Sequence, residues 1–375
     1  MSAPGDTAAS AGALAHVRWE PRLLEPGHDR AMESYARRRV GMPHPTVRYF
    51  LAAPWVARAV VDLHVEFGLL LELDQRTADL IGLVVSQENS CRFCYAIVRS
   101  TLWLQGMDAE RIRRVEQNFS RADLPPRTQA AIAYARAQSR SGPAGACIAW
   151  PTLREAGIDT LQAKEIAFTV ATNDFSNRAH TMVAAPYRPV ERMPEQALMR
   201  LLRPLLDRVM SRHRSRGQPA ALPAADPALP NGALVAAFAG SPIAAALQRT
   251  LAEMWASPQL SRHCKLLMFA VVSRGLPCQV CELELTAALR REGLSADAVE
   301  RILGRLDGPE LDATERALLP LARESLWYEP AQLQRRVRGL SGTLTQPQLI
   351  EAIGVAAMAN ALCRMSAVVL AAPDT

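Results

Sequence analysis

The sequence predicts an all-α protein, and three observations carry that prediction. Apolar residues recur at three- and four-residue spacing, and the strict alternation of a half-buried strand is absent. Helix start and stop signals bracket many of these runs. The pattern also occurs twice, because two C-x-x-C pairs, Cys91/Cys94 and Cys278/Cys281, lie 187 residues apart. Val84-Val85-Ser86 precedes the first pair and Val271-Val272-Ser273 the second, while Gly106 and Gly293 each follow fifteen residues after the leading cysteine. Self-similarity at so long a period means two copies of one domain, not a solenoid of short units.

The first copy reads as helices over 54–68, 76–87, 91–105, 108–118, 125–140 and 159–183. Pro54 opens the first of these, and Pro125–Pro126 sits where an opening helical turn tolerates proline. Gly106 is a helix stop, and Arg178 lies near the end of the last pattern. The second copy reads as 242–256, 260–273, 278–291, 295–305, 313–326 and 345–370. Pro242 opens it, Gly293 matches Gly106, and Arg364 matches Arg178. Asp312 with Glu315 and Thr345 with Gln348 have capping-box spacing. The organisation expected is an N-terminal extension over 1–45, a first domain over 46–210, a Pro/Ala/Arg-rich linker over 211–231, and a second, more divergent domain over 232–375.

Composition narrows the class of protein. At 375 residues, 49% hydrophobic and 21% charged, the chain excludes disordered, collagen-like and disulfide-rich classes. No uninterrupted apolar run reaches the ~20 residues of a membrane span, and Leu80–Val85 and Leu349–Leu362 are too short or too polar. Met1–Ala15 lacks a charged start followed by an apolar block, so no secretory signal is expected and the cytoplasm is the expected compartment. The net charge of +6 is carried by arginine, with Lys164 and Lys265 the only lysines. Its one dense cluster, Arg200 to Arg216, has no interleaved aromatics, so it reads as a solvated helix end and not as a nucleic-acid surface.

The seven cysteines hold the chemistry. An odd number without an export signal argues against a structural disulfide framework. Each C-x-x-C pair opens a helix after a short turn, where unpaired amides and the helix dipole stabilise a thiolate. Three-residue separation sets both sulfurs on one side of the first turn, close enough to form a disulfide. A thiolate beside a resolving thiol can meet peroxide, pass through a sulfenic acid and close as a disulfide. Two other readings stay open: small buried residues at a packed helix start, or a four-cysteine zinc site if the copies bring both pairs together. Cys147, in the loop 141–149, has no counterpart in the second copy.

These residues resemble a family. Asp79-x(11)-Cys91-x-x-Cys94, with Ser86 before it, Gly106 after it and Asn177-Arg178 late in a long helix, is similar to the carboxymuconolactone decarboxylase and alkylhydroperoxidase D superfamily. The likeness spans roughly 46–205 and 232–371. It implies two all-helical domains joined as an intrachain pseudo-dimer, with further assembly into a homo-oligomer. It also implies a thiol peroxidase in which Cys94 attacks the hydroperoxide and Cys91 resolves it, with Asp79 in the place of the family glutamate. Cys281 and Cys278 would form a second site, and an external dithiol would recharge the enzyme; no cofactor or metal is implied. The family histidine falls on Val98 and Leu285, and the family acid of the second copy falls on Leu266. His180, or His263 with Cys264, are candidate replacements for that base, and Arg178, four residues after Asp174, reads as scaffold before it reads as support for the site. A scaffold or binding protein, or a decarboxylase or lactone-acting enzyme on the same fold, are the alternative functions.

Overall fold

The computed structural model describes residues 13–370 apart from 22, 42, 64–68, 141–150, 192, 194–195, 215–229 and 277. Among the described residues the chain is helical, with no strand. Its first half contains α1 (Arg30–Val40), α2 (Pro54–Asp62), α3 (Gln75–Glu88), α4 (Arg92–Leu104), α5 (Ala109–Asn118), α6 (Pro126–Arg140), α7 (Thr160–Met182) and α8 (Ala197–Arg214). Its second half contains α9 (Pro242–Ala256), α10 (Arg262–Gly275), α11 (Gln279–Arg291), α12 (Ala296–Arg305), α13 (Ala313–Glu324), α14 (Pro330–Leu340) and α15 (Gln346–Val369). The helices read from periodicity lie within a few residues of α2–α7, α9–α13 and α15. The expected continuation of α2 to residue 68 and the loop carrying Cys147 lie outside the described residues.

Local signals explain where these helices begin and end. Asp74 and Ser261 cap α3 and α10 by accepting from the backbone three residues on. Asp108 and Ser295 do the same for α5 and α12. Capping boxes open α7 at Asp159/Gln162 and α15 at Thr345/Gln348. Gly106 and Gly293 take φ of 96° and 100°, and each is followed by the same closing bond, Met107 N–H to Leu102 O at 3.1 Å and Leu294 N–H to Leu289 O at 3.3 Å.

Two helices make the centre. α7 and α15 share the most extensive helix–helix contact, and nearly every residue of each is buried. A helix apolar on all sides needs protein all around it. By length and composition α15 could cross a membrane, unlike the shorter run the sequence suggests, yet 94% of its most apolar window is buried inside the fold. α3 and α10 flank the central pair, each followed by its cysteine helix, α4 or α11. Gly354 allows α2 to approach α15: a Cβ there would stand 2.5 Å from Val56 Cγ2 and 2.9 Å from Trp55.

Three helices were not expected from the sequence. α1 buries only Met32 and Ala36, although Asp29 caps it and Gly41 stops it in the left-handed region. α14 opens on Pro330 in a second half expected to have no helix there. The arginine cluster belongs to α8, which runs to Arg214, so the start of the expected linker over 211–231 is helical; residues 215–229 lie outside the described residues. The extension over 1–45 is tied down from Ala13 onward. Trp19 Nε1 donates to Ala185 O at 3.0 Å, and Glu20 N–H donates to Gln334 Oε1 at 2.9 Å.

Candidate functional site

Ser90 takes a φ of 53°, a left-handed turn that ends α3 and aims the next residue across the start of α4. Cys91 is the N-cap of α4, and its sulfur accepts from the Cys94 amide at 3.3 Å. Both thiols are buried, Cys91 at 0% and Cys94 at 6% exposure. Tyr95 carries the helix onto the extension: its hydroxyl donates to Glu116 Oε1 at 2.6 Å and accepts from Ala13 N–H at 3.1 Å.

A polar chain runs away from Cys94. Ser176 Oγ on α7 lies 3.9 Å from Cys94 Sγ and 3.1 Å from His180 Nδ1. His180 Nδ1 also lies 2.7 Å from the Ser176 carbonyl, while Nε2 lies 2.7 Å from Thr46 Oγ1. A carbonyl only accepts, so Nδ1 carries the proton and Nε2 accepts from the Thr46 hydroxyl. The Nδ1 proton thus serves the Ser176 carbonyl, with the Ser176 hydroxyl beside it at 3.1 Å and in turn 3.9 Å from the Cys94 sulfur. The ring is fixed by Phe93, stacked at 4.7 Å, and Phe50, edge-on at 5.4 Å. Burial first, and then the hydrogen bond and charge of Cys91, push the Cys94 thiol well above its ordinary value; the Ser176 hydroxyl pulls the other way.

Asp79 stands to one side of this chain. It accepts from Gln75 Nε2 at 3.0 Å and from Gln105 Nε2. With Val98, Gly82, Asn173 and Ser176 it lines a narrow cleft of about 40 Å³, room for a molecule not much larger than water. Val98 faces this cleft. Ser176 joins the two features, since it both lines the cleft and touches Cys94.

The second pair sits at the matching place in the second half. Cys278 is the N-cap of α11, and its thiol donates to Cys281 at 2.8 Å between sulfurs. The Cys278 thiol is raised by that hydrogen bond, then by burial. Donation from Cys278 lowers the Cys281 thiol, but Cys363 and burial outweigh it and leave it raised. His263 turns away to Glu315 Oε1 at 2.8 Å, and neighbouring Cys264 is pushed up to about 12 by burial and by Glu315 and Asp312. Among the described residues no group of three His, Cys, Asp or Glu side chains could hold a metal ion, so the two pairs do not meet as a four-thiolate site.

Beneath the thiols lies a buried polar centre shared by the halves. Asp174 Oδ1 accepts from Asn89 at 2.8 Å, Ser139 at 3.2 Å and the Tyr328 hydroxyl at 2.6 Å, with Arg178 Nη1 at 3.4 Å. Arg178 Nε donates to Ser325 O at 2.8 Å, and Arg364 Nη1 donates to Ser139 O at 2.9 Å. Each arginine thus reaches the other half, ending on a serine carbonyl 186 residues from its counterpart. Arg178 is scaffold of this centre and stacks over Tyr328 at 4.0 Å. Glu165 and Glu351, also 186 apart, are both fully buried and both brace the segment before α3 or α10. Glu165 accepts from the amides of Leu71 and Leu73 at 2.6 Å each, and Glu351 pairs with Lys265 at 2.9 Å.

Sequence reasoning reached Cys91, Cys94, Asp79 and His180 but missed Ser176, Thr46 and the two glutamates. Ser176 and His180 share one helical face at i, i+4, which was the available signal. Compared with protein-family models, curated proteins and solved structures, the chain matches none of them.

Proposed function

We propose that the chain is a thiol-dependent peroxidase built from two tandem alkylhydroperoxidase D-like domains in one chain, with Cys94 the attacking sulfur and Cys91 the resolving one. The observation that carries this reading is the polar contact of Ser176 with Cys94, 3.9 Å from its sulfur, backed by His180 and Thr46. It supplies, by hydrogen bonds to the charged form, part of what the family histidine would supply at Val98. The Cys94 thiolate attacks one peroxide oxygen and the O–O bond breaks. The departing alkoxide takes the proton the thiol released, leaving an alcohol and a sulfenic acid. The Cys91 thiol then attacks that sulfur, water leaves, and the disulfide is the oxidised product. An external dithiol restores both thiols. The narrow cleft favours a small hydroperoxide over a bulky one. The matching caps, glycine stops, arginine bonds and buried glutamates support the tandem reading. A cytoplasmic setting and self-association into a homo-oligomer belong to this proposal, as do its independence of cofactor and metal and of nucleic-acid or membrane partners.

Burial of both dithiols favours a second reading, a scaffold that kept the fold and lost turnover. One experiment separates them. One equivalent of hydrogen peroxide should link Cys91 to Cys94, and Cys91→Ser should trap a sulfenic acid on Cys94 that a sulfenic-acid probe detects by mass spectrometry. Peroxide consumption that is the same in wild type and Cys94→Ser would leave the scaffold in front.

A further inference from the structure

The turn before Cys91 is tied to the second half through side chains, and the place of that tie in the second half is apolar. Asn89 ends α3 two residues before Cys91, and its amide is held at both ends. Nδ2 donates to Asp174 Oδ1 at 2.8 Å, and Oδ1 lies 2.9 Å from the Ser139 hydroxyl. Tyr328, from the segment between α13 and α14, donates its hydroxyl to the same Asp174 oxygen at 2.6 Å. Asn89, Ser139 and Asp174 are at most 1% exposed, so these bonds are not exchanged for bonds to bulk water. Ser90 follows with its left-handed φ of 53°, a conformation that a serine keeps only where its surroundings hold it. In the second half Leu276 stands at the place of Asn89, and Asn360 stands at the place of Asp174 and donates to Ser325 Oγ at 2.8 Å.

We propose that Tyr328 is a positioning residue for the first dithiol. Through Asp174 and Asn89 it holds the Ser90 turn that sets the Cys91 sulfur against the Cys94 amide. This role rests on the reading of Cys94 as the attacking sulfur and Cys91 as the resolving one, and the step it serves is resolution. The Cys91 sulfur attacks the sulfur of the Cys94 sulfenic acid. The S–S bond forms, the S–O bond breaks, and the departing hydroxide takes the Cys91 proton and leaves as water. A turn released from Asn89 takes Cys91 off the line of that attack, and small misplacements of a reacting group are costly in rate. Cys94 is affected less, because its own approach to peroxide is served by Ser176 on α7. The second half thus completes the first site, acting on Cys91 through two intermediate side chains.

Tyr328→Phe removes the hydroxyl bond and keeps the ring that stacks with Arg178 at 4.0 Å. Asn89→Leu writes the residue of the second half into the first. The reduced full-length proteins are mixed with hydrogen peroxide and a fixed excess of a sulfenic-acid probe. Free thiols are then blocked, and the peptide holding Cys91 and Cys94 is read by mass spectrometry. The ratio of probe-trapped Cys94 to Cys91–Cys94 disulfide should rise by about threefold or more in either variant, with the rate of Cys94 oxidation unchanged. The double variant should be no worse than Asn89→Leu, because both substitutions break one chain of bonds. Tyr35→Phe, which loses a hydroxyl bond to Asp62 between α1 and α2, should leave the ratio where it is. An unchanged ratio in Tyr328→Phe, or an equal rise in Tyr35→Phe, overturns the proposal. A wild-type chain that forms neither product at Cys94 overturns the peroxidase reading instead, and hydrogen exchange of the Ser90 and Cys91 amides in reduced protein then decides. Exchange faster in Tyr328→Phe than in wild type and Tyr35→Phe supports the hold on the turn, and equal exchange in all three overturns it. Asn89→Leu alone decides if Tyr328→Phe fails to fold.

Discussion

At the residue scale the decisive group is Ser176. Its hydroxyl lies 3.9 Å from the Cys94 sulfur and acts against burial and against Cys91, which together hold the thiol protonated. Ser176→Ala removes that donor and leaves the His180 ring without its link to the sulfur. Hydrogen bonds to charged groups are worth about 1.5–3 kcal/mol, so Cys94 oxidation at pH 7.5 should slow by about tenfold or more. Because the Cys94 thiol lies above its ordinary value, the wild-type rate should keep climbing with pH beyond the range where a free thiol levels off. Stopped-flow peroxide reaction against pH reads both effects, and an unchanged rate in Ser176→Ala would disconnect the chain from the sulfur. The cysteines were legible in the sequence because C-x-x-C spacing acts within one helix start, and His180 because it lies two residues after Arg178 on one long helix. The meeting of Ser176 with Cys94 was not, since it joins α4 to α7 across 82 residues, a contact that only packing creates.

At the element scale, legibility followed the apolar stripe and the caps. α3, α10, α7 and α15 each open on a capping residue and bury so much surface that runs of apolar residues locate them. α1 is a polar helix that buries only Met32 and Ala36, whereas α14 buries Leu333, Val337 and Leu340 in a stripe interrupted by the polar run Gln334-Arg335-Arg336. Close approach of two helices is equally invisible until both are placed. Gly354 is the clearest case, an unremarked glycine in α15 that becomes the floor beneath Trp55 and Val56. Gly354→Ala gains about 1 kcal/mol of helix propensity. It also puts a methyl group 2.5 Å from Val56 Cγ2, and overpacking of that kind costs typically 1–3 kcal/mol. Net loss of stability is expected in urea unfolding, and Val56→Ala should relieve only part of the overpacking, because the Trp55 ring still stands 2.9 Å from the added methyl group. A stabilised Gly354→Ala protein would mean that α2 yields without cost.

At the scale of the whole molecule, burial of ionisable groups sets where the fold is stable. Arg178 and Arg364 bind across the halves in reciprocal fashion, with Asp174 between them and its neighbour Tyr328 held neutral, so the centre is polar yet closed to water. The same closure keeps thiols protonated: Cys94, Cys264, Cys278 and Cys281 are all raised, chiefly through burial and hydrogen bonds to neighbouring thiols, and Tyr35, Tyr95 and Tyr328 are raised by burial first. The sign follows from proton binding. Below about pH 8.5 both folded and unfolded chains hold these protons, and the full stability is present. Above that the unfolded chain ionises its thiols, and near pH 10 its tyrosines, while the folded chain holds on to its protons. Each such group then costs about 1.4 kcal/mol per pH unit until its folded value is reached, which for Cys264 is about 12. Melting temperature should therefore be nearly level from pH 7 to 8.5 and fall steeply from 9 to 10.5, in reducing buffer so that no disulfide intervenes. Replacing Cys264 with Ala should soften the fall by the share of one group, at the expense of a small cavity at every pH. A melting curve that stays flat to pH 10.5 would show that the thiols and phenols reach water in the folded chain, and with it that the core is more open than the contacts of α7 and α15 require.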